Sequence, residues 1–261
     1  GCEGSVVVAP SGPSAARARV EEIYPTADVL PENILRFYVY FSQPMAEGDF
    51  LRYVKLTHVE SGQDLSGVFF DNVYELWSRD RKRITLLVDP GRVKTGLEAH
   101  AQRGRAFATG QSYALTILPG WPSLDGRSLR RGRTKVFRVA SEDLRPVDPQ
   151  AWRLEGPVRG ARSPLRVRFP KPMDHVSVAR FLAVITPDGL QLAGRWQIER
   201  EEREALWTPV RPWRGSVREH MLVVAGRFED VAGNNVNAAF EHPVGARPSG
   251  GENRTVKVPL R

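Results

Sequence analysis

Two phrases of this chain, FYVYFSQPM (Phe37–Met45) and LRVRFPKPM (Leu165–Met173), are near copies set 128 residues apart. Phe37, Val39, Phe41, Pro44 and Met45 fall opposite Leu165, Val167, Phe169, Pro172 and Met173. Apolar side chains at every second position have the period of a strand with one buried face. Proline then removes an amide donor and ends the pairing. The methionine just beyond is placed to plug the end of a core. A chain that writes this phrase twice is constrained to build the same unit twice.

The match continues on both sides of the phrase. YVKLTHVESGQDLSGVFF (53–70) parallels FLAVITPDGLQLAGRWQ (181–197): a strand, a polar turn and a second strand entered through Gly67 or Gly194. RITLLVDP (83–90) parallels ALWTPVRP (205–212), SYALTIL (112–118) parallels HMLVVAG (220–226), and SLDGRSL (123–129) parallels DVAGNNV (230–236). About seven short strands per repeat, separated by turn residues, predict an all-β fold of two tandem Ig-like antiparallel β-sandwiches. The expected organisation is a flexible tether over 1–17, a first sandwich over 18–140 with an insertion at 91–111, a linker over 141–151 and a second sandwich over 152–261. The alternation in TVKVPLR (255–261) adds an edge strand to the second.

The phrases FSQPM, FPKPMD and FEDVAGNN resemble those of SbsA-type bacterial Ig-like domains, modules of S-layer, surface and secreted proteins. The resemblance covers roughly residues 18–140 and 152–242, apart from the insertion. It implies a scaffold and supplies no catalytic residues.

The sequence contains no run of 18 or more apolar residues, the length from which a membrane-spanning helix is read. The net charge is +8, but only six of the 38 basic residues are lysine. Such arginine usage reads first as compositional and second as a weak attraction for polyanions. The one cysteine, Cys2, has no partner for an internal disulfide. Gly-Cys ahead of a small, polar stretch matches the start of a bacterial lipoprotein whose leader has been removed. An arbitrary start that keeps a cysteine is the alternative. On the first reading Cys2 is lipidated, and the protein is exported and anchored in the bacterial cell envelope or periplasm.

Phosphate-binding loops, nucleophile elbows and zinc-helix motifs are absent from the sequence. The five histidines at 58, 100, 175, 220 and 242 are scattered singly, so zinc is not expected. FEDVAGNNVN offers calcium an oxygen cluster at Asp230, Asn234 and Asn235, although the same residues suit an ordinary Asx turn. The acidic run IEREERE (198–204) reads as a solvated hairpin tip. RSLRRGRTK (127–135) places Arg127, Arg130, Arg131 and Arg133 near Trp121, a candidate basic-aromatic surface for a glycan or polyanion. Edge protection of strands is the plainer explanation for the arginines, and packing over the open end of a sandwich is the plainer one for Trp121.

The leading expectation is a non-enzymatic envelope protein: a lipid-anchored binding, spacer or assembly module. Its expected partner is a protein or glycan of the envelope, with no cofactor beyond the calcium candidate and no role for nucleic acid. The alternative is a carbohydrate- or polyanion-binding module built on the Trp121 and arginine surface. An enzyme using the insertion would have His100 as its titratable group near neutral pH, without a nucleophile beside it.

Overall fold

The inward faces of the two repeated phrases set the architecture. The structure is a computed structural model that describes residues 16–71, 74–93, 104–237 and 255–260. Phe37, Val39 and Phe41 lie in one buried cluster, and Leu165, Val167 and Phe169 lie in another. The first cluster runs from Ala18 to Val139 and the second from Val147 to Leu260. Met45 and Met173 are fully buried. Each bridges to the closing turn of its own repeat, at Ser123 and at Asp230.

The first sandwich contains β1 (Val20–Tyr24), β2 (Val29–Pro31), β3 (Arg36–Phe41), β4 (Val54–His58), β5 (Gln63–Leu65), β6 (Arg83–Leu87), β7 (Ser112–Ile117) and β8 (Arg133–Ala140). One sheet has the order β1-β3-β6 and the other β2-β8-β7-β4-β5. The second sandwich contains β9 (Arg153–Glu155), β10 (Leu165–Arg168), β11 (Leu182–Ile185), β12 (Gly194–Glu199), β13 (Glu204–Pro209), β14 (Met221–Val224) and β15 (Val256–Pro259). Its sheets are β12-β13-β10-β9 and β11-β14-β15, with β15 at an edge.

Two details differ from the sequence-based expectation. First, β2 runs parallel to β8, with Val29–Pro31 beside Arg138–Ala140. The chain leaves β1 on one sheet, passes the cis Tyr24–Pro25 bond and crosses to the other sheet. A crossing segment keeps its heading, whereas a hairpin reverses it. Second, the letter match between the repeats is one residue off in two strands. Arg83 lies opposite Tyr40 as Glu204 lies opposite Arg168, and Leu115 faces Leu56 as Leu222 faces Val184. The equivalent pairs are Ile84 with Ala205 and Leu115 with Leu222, all buried. A slip of one residue would turn each inward set outward, so burial overrides similarity of letters.

The described part of the 91–111 insertion packs inward, with Phe107 edge-on to Tyr113 at 5.0 Å and to Phe137 at 5.5 Å. The connector is also tied down. Val147 and Pro149 are buried, and the Val147 N–H donates to the Asn235 carbonyl.

Candidate functional site

Alternation turns Tyr38 away from its own core, yet it is buried because the second sandwich covers that face of β3. Its hydroxyl donates to Asp174 Oδ1 at 2.7 Å. Asp174 follows Met173 and caps the His175–Phe181 helix, its Oδ2 accepting from the Ser177 N–H at 3.0 Å and hydroxyl at 2.9 Å. Arg36 opens β3 and reaches Glu229 Oε2 at 2.8 Å and Asp174 Oδ1 at 3.6 Å. Burial opposes the charge on Arg36, but Tyr38, Asp174 and Glu229 outweigh it and hold the guanidinium above its usual pKa. Burial pushes the Tyr38 phenol up, and Asp174 adds to the effect. Burial also raises the Glu229 carboxyl, against the pull of Arg36.

A second knot forms at Lys171. Its Nζ lies 2.6 Å from Asp230 Oδ2 and 3.3 Å from Asp143 Oδ2, and it donates to the Arg145 carbonyl at 2.7 Å. The carbonyl of Asp143 accepts from Asn33 Nδ2 at 2.9 Å and from Asn234 Nδ2 at 2.7 Å, while its N–H donates to Asn33 Oδ1 at 2.9 Å. One connector residue thus bonds to both sandwiches.

The third contact is the β12–β13 hairpin tip. Arg200, Glu201 and Glu202 have φ of +47°, +57° and +61°, a left-handed conformation uncommon for residues that carry a side chain. This turn drives Glu202 into the first sandwich, where only 2% of it is exposed. Its carboxylate accepts from the Thr26 N–H at 2.9 and 3.0 Å, the Thr26 hydroxyl at 2.7 Å and the Ala27 N–H at 3.4 Å. Burial raises the Glu202 carboxyl, and these donors offset that only in part. The solvated-tip expectation for IEREERE is therefore corrected: the tip is a plug. Beside it, the His175 ring stacks on Tyr24 at 3.7 Å and meets Tyr40 edge-on at 5.4 Å. Burial lowers His175 to about 4.

At the first of these contacts lies a cleft of about 450 Å³, lined by Arg36 and Arg83 of the first sandwich and by Asp174, Arg180, Arg227 and Glu229 of the second. A larger cleft, about 770 Å³, opens at the far end of the second sandwich beside Leu190, Val210 and Trp213.

The residues singled out in the sequence fall elsewhere. Trp121 is wholly buried, edge-on to Phe41 at 5.1 Å and stacked on Tyr53 at 5.6 Å. It is a core residue, which corrects its assignment to a binding surface. The proline and glycine around it mark a turn without saying where the indole points. Arg127 pairs with Asp125 at 2.7 Å and Arg133 with Glu22 at 2.9 Å, while Arg130 and Arg131 are exposed in the turn before β8. The expected basic-aromatic patch is not assembled.

The calcium expectation is also corrected. Asp230 Oδ1 accepts from the Ala232 and Asn234 N–H groups, each at 2.9 Å, and Oδ2 takes Asn234 Nδ2 at 2.9 Å together with Lys171. Asn235 Oδ1 accepts from the Asn237 N–H at 2.9 Å. The Lys171 ammonium stands where a metal ion would, and among the described residues no group of three or more His, Cys, Asp or Glu could hold one. Cys2, His100 and His242 lie outside the described residues.

Sequence reasoning passed over Arg36, Tyr38, Lys171, Asp174 and Glu202. A signal for two of them was present in the letters, because the copies differ there: Lys171 replaces Gln43 and Asp174 replaces Ala46, whereas Glu202 falls opposite Arg81 only in the register of the paired strands. Each difference lies at the end of the second repeat that meets the first.

No family model matches the chain, and no curated protein matches it. Among solved structures it is similar to native alpha-2-macroglobulin from Escherichia coli, in a crystal structure spanning domains MG0-NIE-MG1. That likeness has 12% identity and a TM-score of 0.29, and covers 93% of this chain and 71% of that one.

Proposed function

We propose that this chain is a non-enzymatic cell-envelope protein whose two Ig-like sandwiches work as one stiff spacer. The observation that carries this reading is the junction. Arg36 with Asp174 and Glu229, Lys171 with Asp143 and Asp230, and Glu202 with Thr26 form separate attachments. Motion between sandwiches is the default where few contacts cross. Attachments at three places resist rotation about any one of them. The SbsA-type kinship belongs to the same proposal and is supported by FSQPM, FPKPMD and FEDVAGNN.

Small-angle X-ray scattering tests the stiffness. The wild type is expected to fit a single rigid particle, and Arg36→Met combined with Lys171→Met to show an increased radius of gyration. Wild-type scattering that required a spread of orientations would overturn the reading. Export and lipid attachment at Cys2 complete the proposal. They predict detergent-phase partitioning in cells that is lost in Cys2→Ala, and aqueous partitioning of both forms would remove the anchor from it.

A further inference from the structure

The cleft at the junction holds more positive charge than the junction uses. Among the described residues, four guanidinium groups and two carboxylates face it. Both carboxylates are already engaged, since Arg36 contacts Asp174 and Glu229, Tyr38 donates to Asp174, and Ser177 donates to Asp174 twice. Arg83, Arg180 and Arg227 form no close ion pair among the described residues, although the Arg83 guanidinium is hydrogen-bonded to the Tyr40 hydroxyl. The Arg83 Nε is buried and donates to no atom of the described residues. A buried donor without an acceptor is uncommon enough to need a reason.

Two of these cations lie over aromatic rings. The Arg83 guanidinium sits 5.6 Å from the centre of the Tyr38 ring, and that of Arg180 sits 5.3 Å from the Phe181 ring. Both phenyl faces line the same cleft. Planar forks lying on aromatic faces match the oxygens of phosphate and carboxylate groups. A volume of about 450 Å³ lies within the usual range for small-ligand pockets.

We propose that this cleft binds an oxyanion-bearing ligand about the size of one acidic or phosphorylated sugar, clamped by Arg83 from the first sandwich and by Arg180 and Arg227 from the second. The ligand then bridges the two sandwiches. This binding site replaces the polyanion surface expected at Arg127–Arg133, and it does not depend on the spacer reading.

Isothermal titration of the full chain with inorganic phosphate, glucose 6-phosphate, glucuronate and glucose, at constant ionic strength, tests it. Saturable binding of at least one of the three anions is expected, and none of glucose. Preference among the anions separates a free oxyanion from a phosphorylated or carboxylated sugar. Arg83→Gln with Arg227→Gln should weaken binding at least tenfold. Arg130→Gln with Arg131→Gln removes the same charge from an exposed turn and should leave the affinity unchanged. Should the Arg83 variant fail to fold, the exposed Arg227→Gln alone is expected to weaken binding at least threefold. Equal losses in the two double variants would reduce the effect to net charge and overturn the site, as would the absence of saturable heat with every anion.

Discussion

The two copies present the same end of the sandwich to opposite surroundings. In the first copy, the Met45 N–H donates to the Arg81 carbonyl at the hairpin tip, and the Ala46 N–H donates to the Pro122 carbonyl. In the second, the Met173 N–H donates to the Glu202 carbonyl and Asp174 donates to Glu229. The backbone bonds are equivalent, but the side chains are not. Arg81 pairs at 3.3 Å with the exposed Glu47, whereas Glu202 is buried in the neighbouring sandwich. The fold is thus set by what the copies share, and their union by where they differ.

The largest effect tests the shared part. Phe41 and Phe169 occupy equivalent buried positions, so Phe41→Ala and Phe169→Ala should each cost about 3–5 kcal/mol in urea unfolding. A silent Phe169→Ala would break the equivalence of the copies.

The next prediction concerns pH, at a position where the copies differ. His175 stands where the first copy has Glu47, and burial lowers its pKa from the ordinary 6.5 to about 4. The unfolded chain takes up the proton first, so stability is lost as pH falls from 6.5 toward 4. At about 1.4 kcal/mol per unit, that loss reaches up to about 3 kcal/mol. Glu202, Glu229 and Asp230 are raised by burial and act in the opposite direction, gaining stability as pH falls through their folded values. The difference between wild type and His175→Phe isolates the histidine, and the variant should lose less stability on acidification. Parallel pH curves would show that His175 is solvated like its counterpart.

The smallest effect sharpens the contrast at the hairpin tips. Glu202→Ala leaves the Thr26 and Ala27 amides without their acceptor and should cost about 2 kcal/mol. Arg81→Ala removes a partly exposed pair and should cost less than about 1 kcal/mol. Equal costs, measured by the same urea titration, would mean that the second tip is not docked.

The core was legible because period-two alternation reports which side chains face their own sheet partner. It carried no information about what covers the other face, so Tyr38 read as an outward strand residue and Glu202 as a solvated acid. Trp121 could be read as a packing residue or as a binding residue, because its loop context describes the backbone alone. Gly67 and Gly194 show the same limit. Gly67 has φ of +67°, while a Cβ on Gly194 would come 2.3 Å from Trp207 Cε2. Equivalent letters answered different physical demands. The arginine cleft was invisible because its members come from four distant segments that only the junction brings together.

The left-handed run at Arg200–Glu202 has one more consequence. Glycine would relax such a turn most readily, yet here it would delete the side chain that seals the neighbouring module. The bend is tolerated for the sake of its cargo. Laboratory schemes that stabilise proteins by relieving strained loops should therefore pass over this one, because a more comfortable loop would yield two tighter pieces on a looser string.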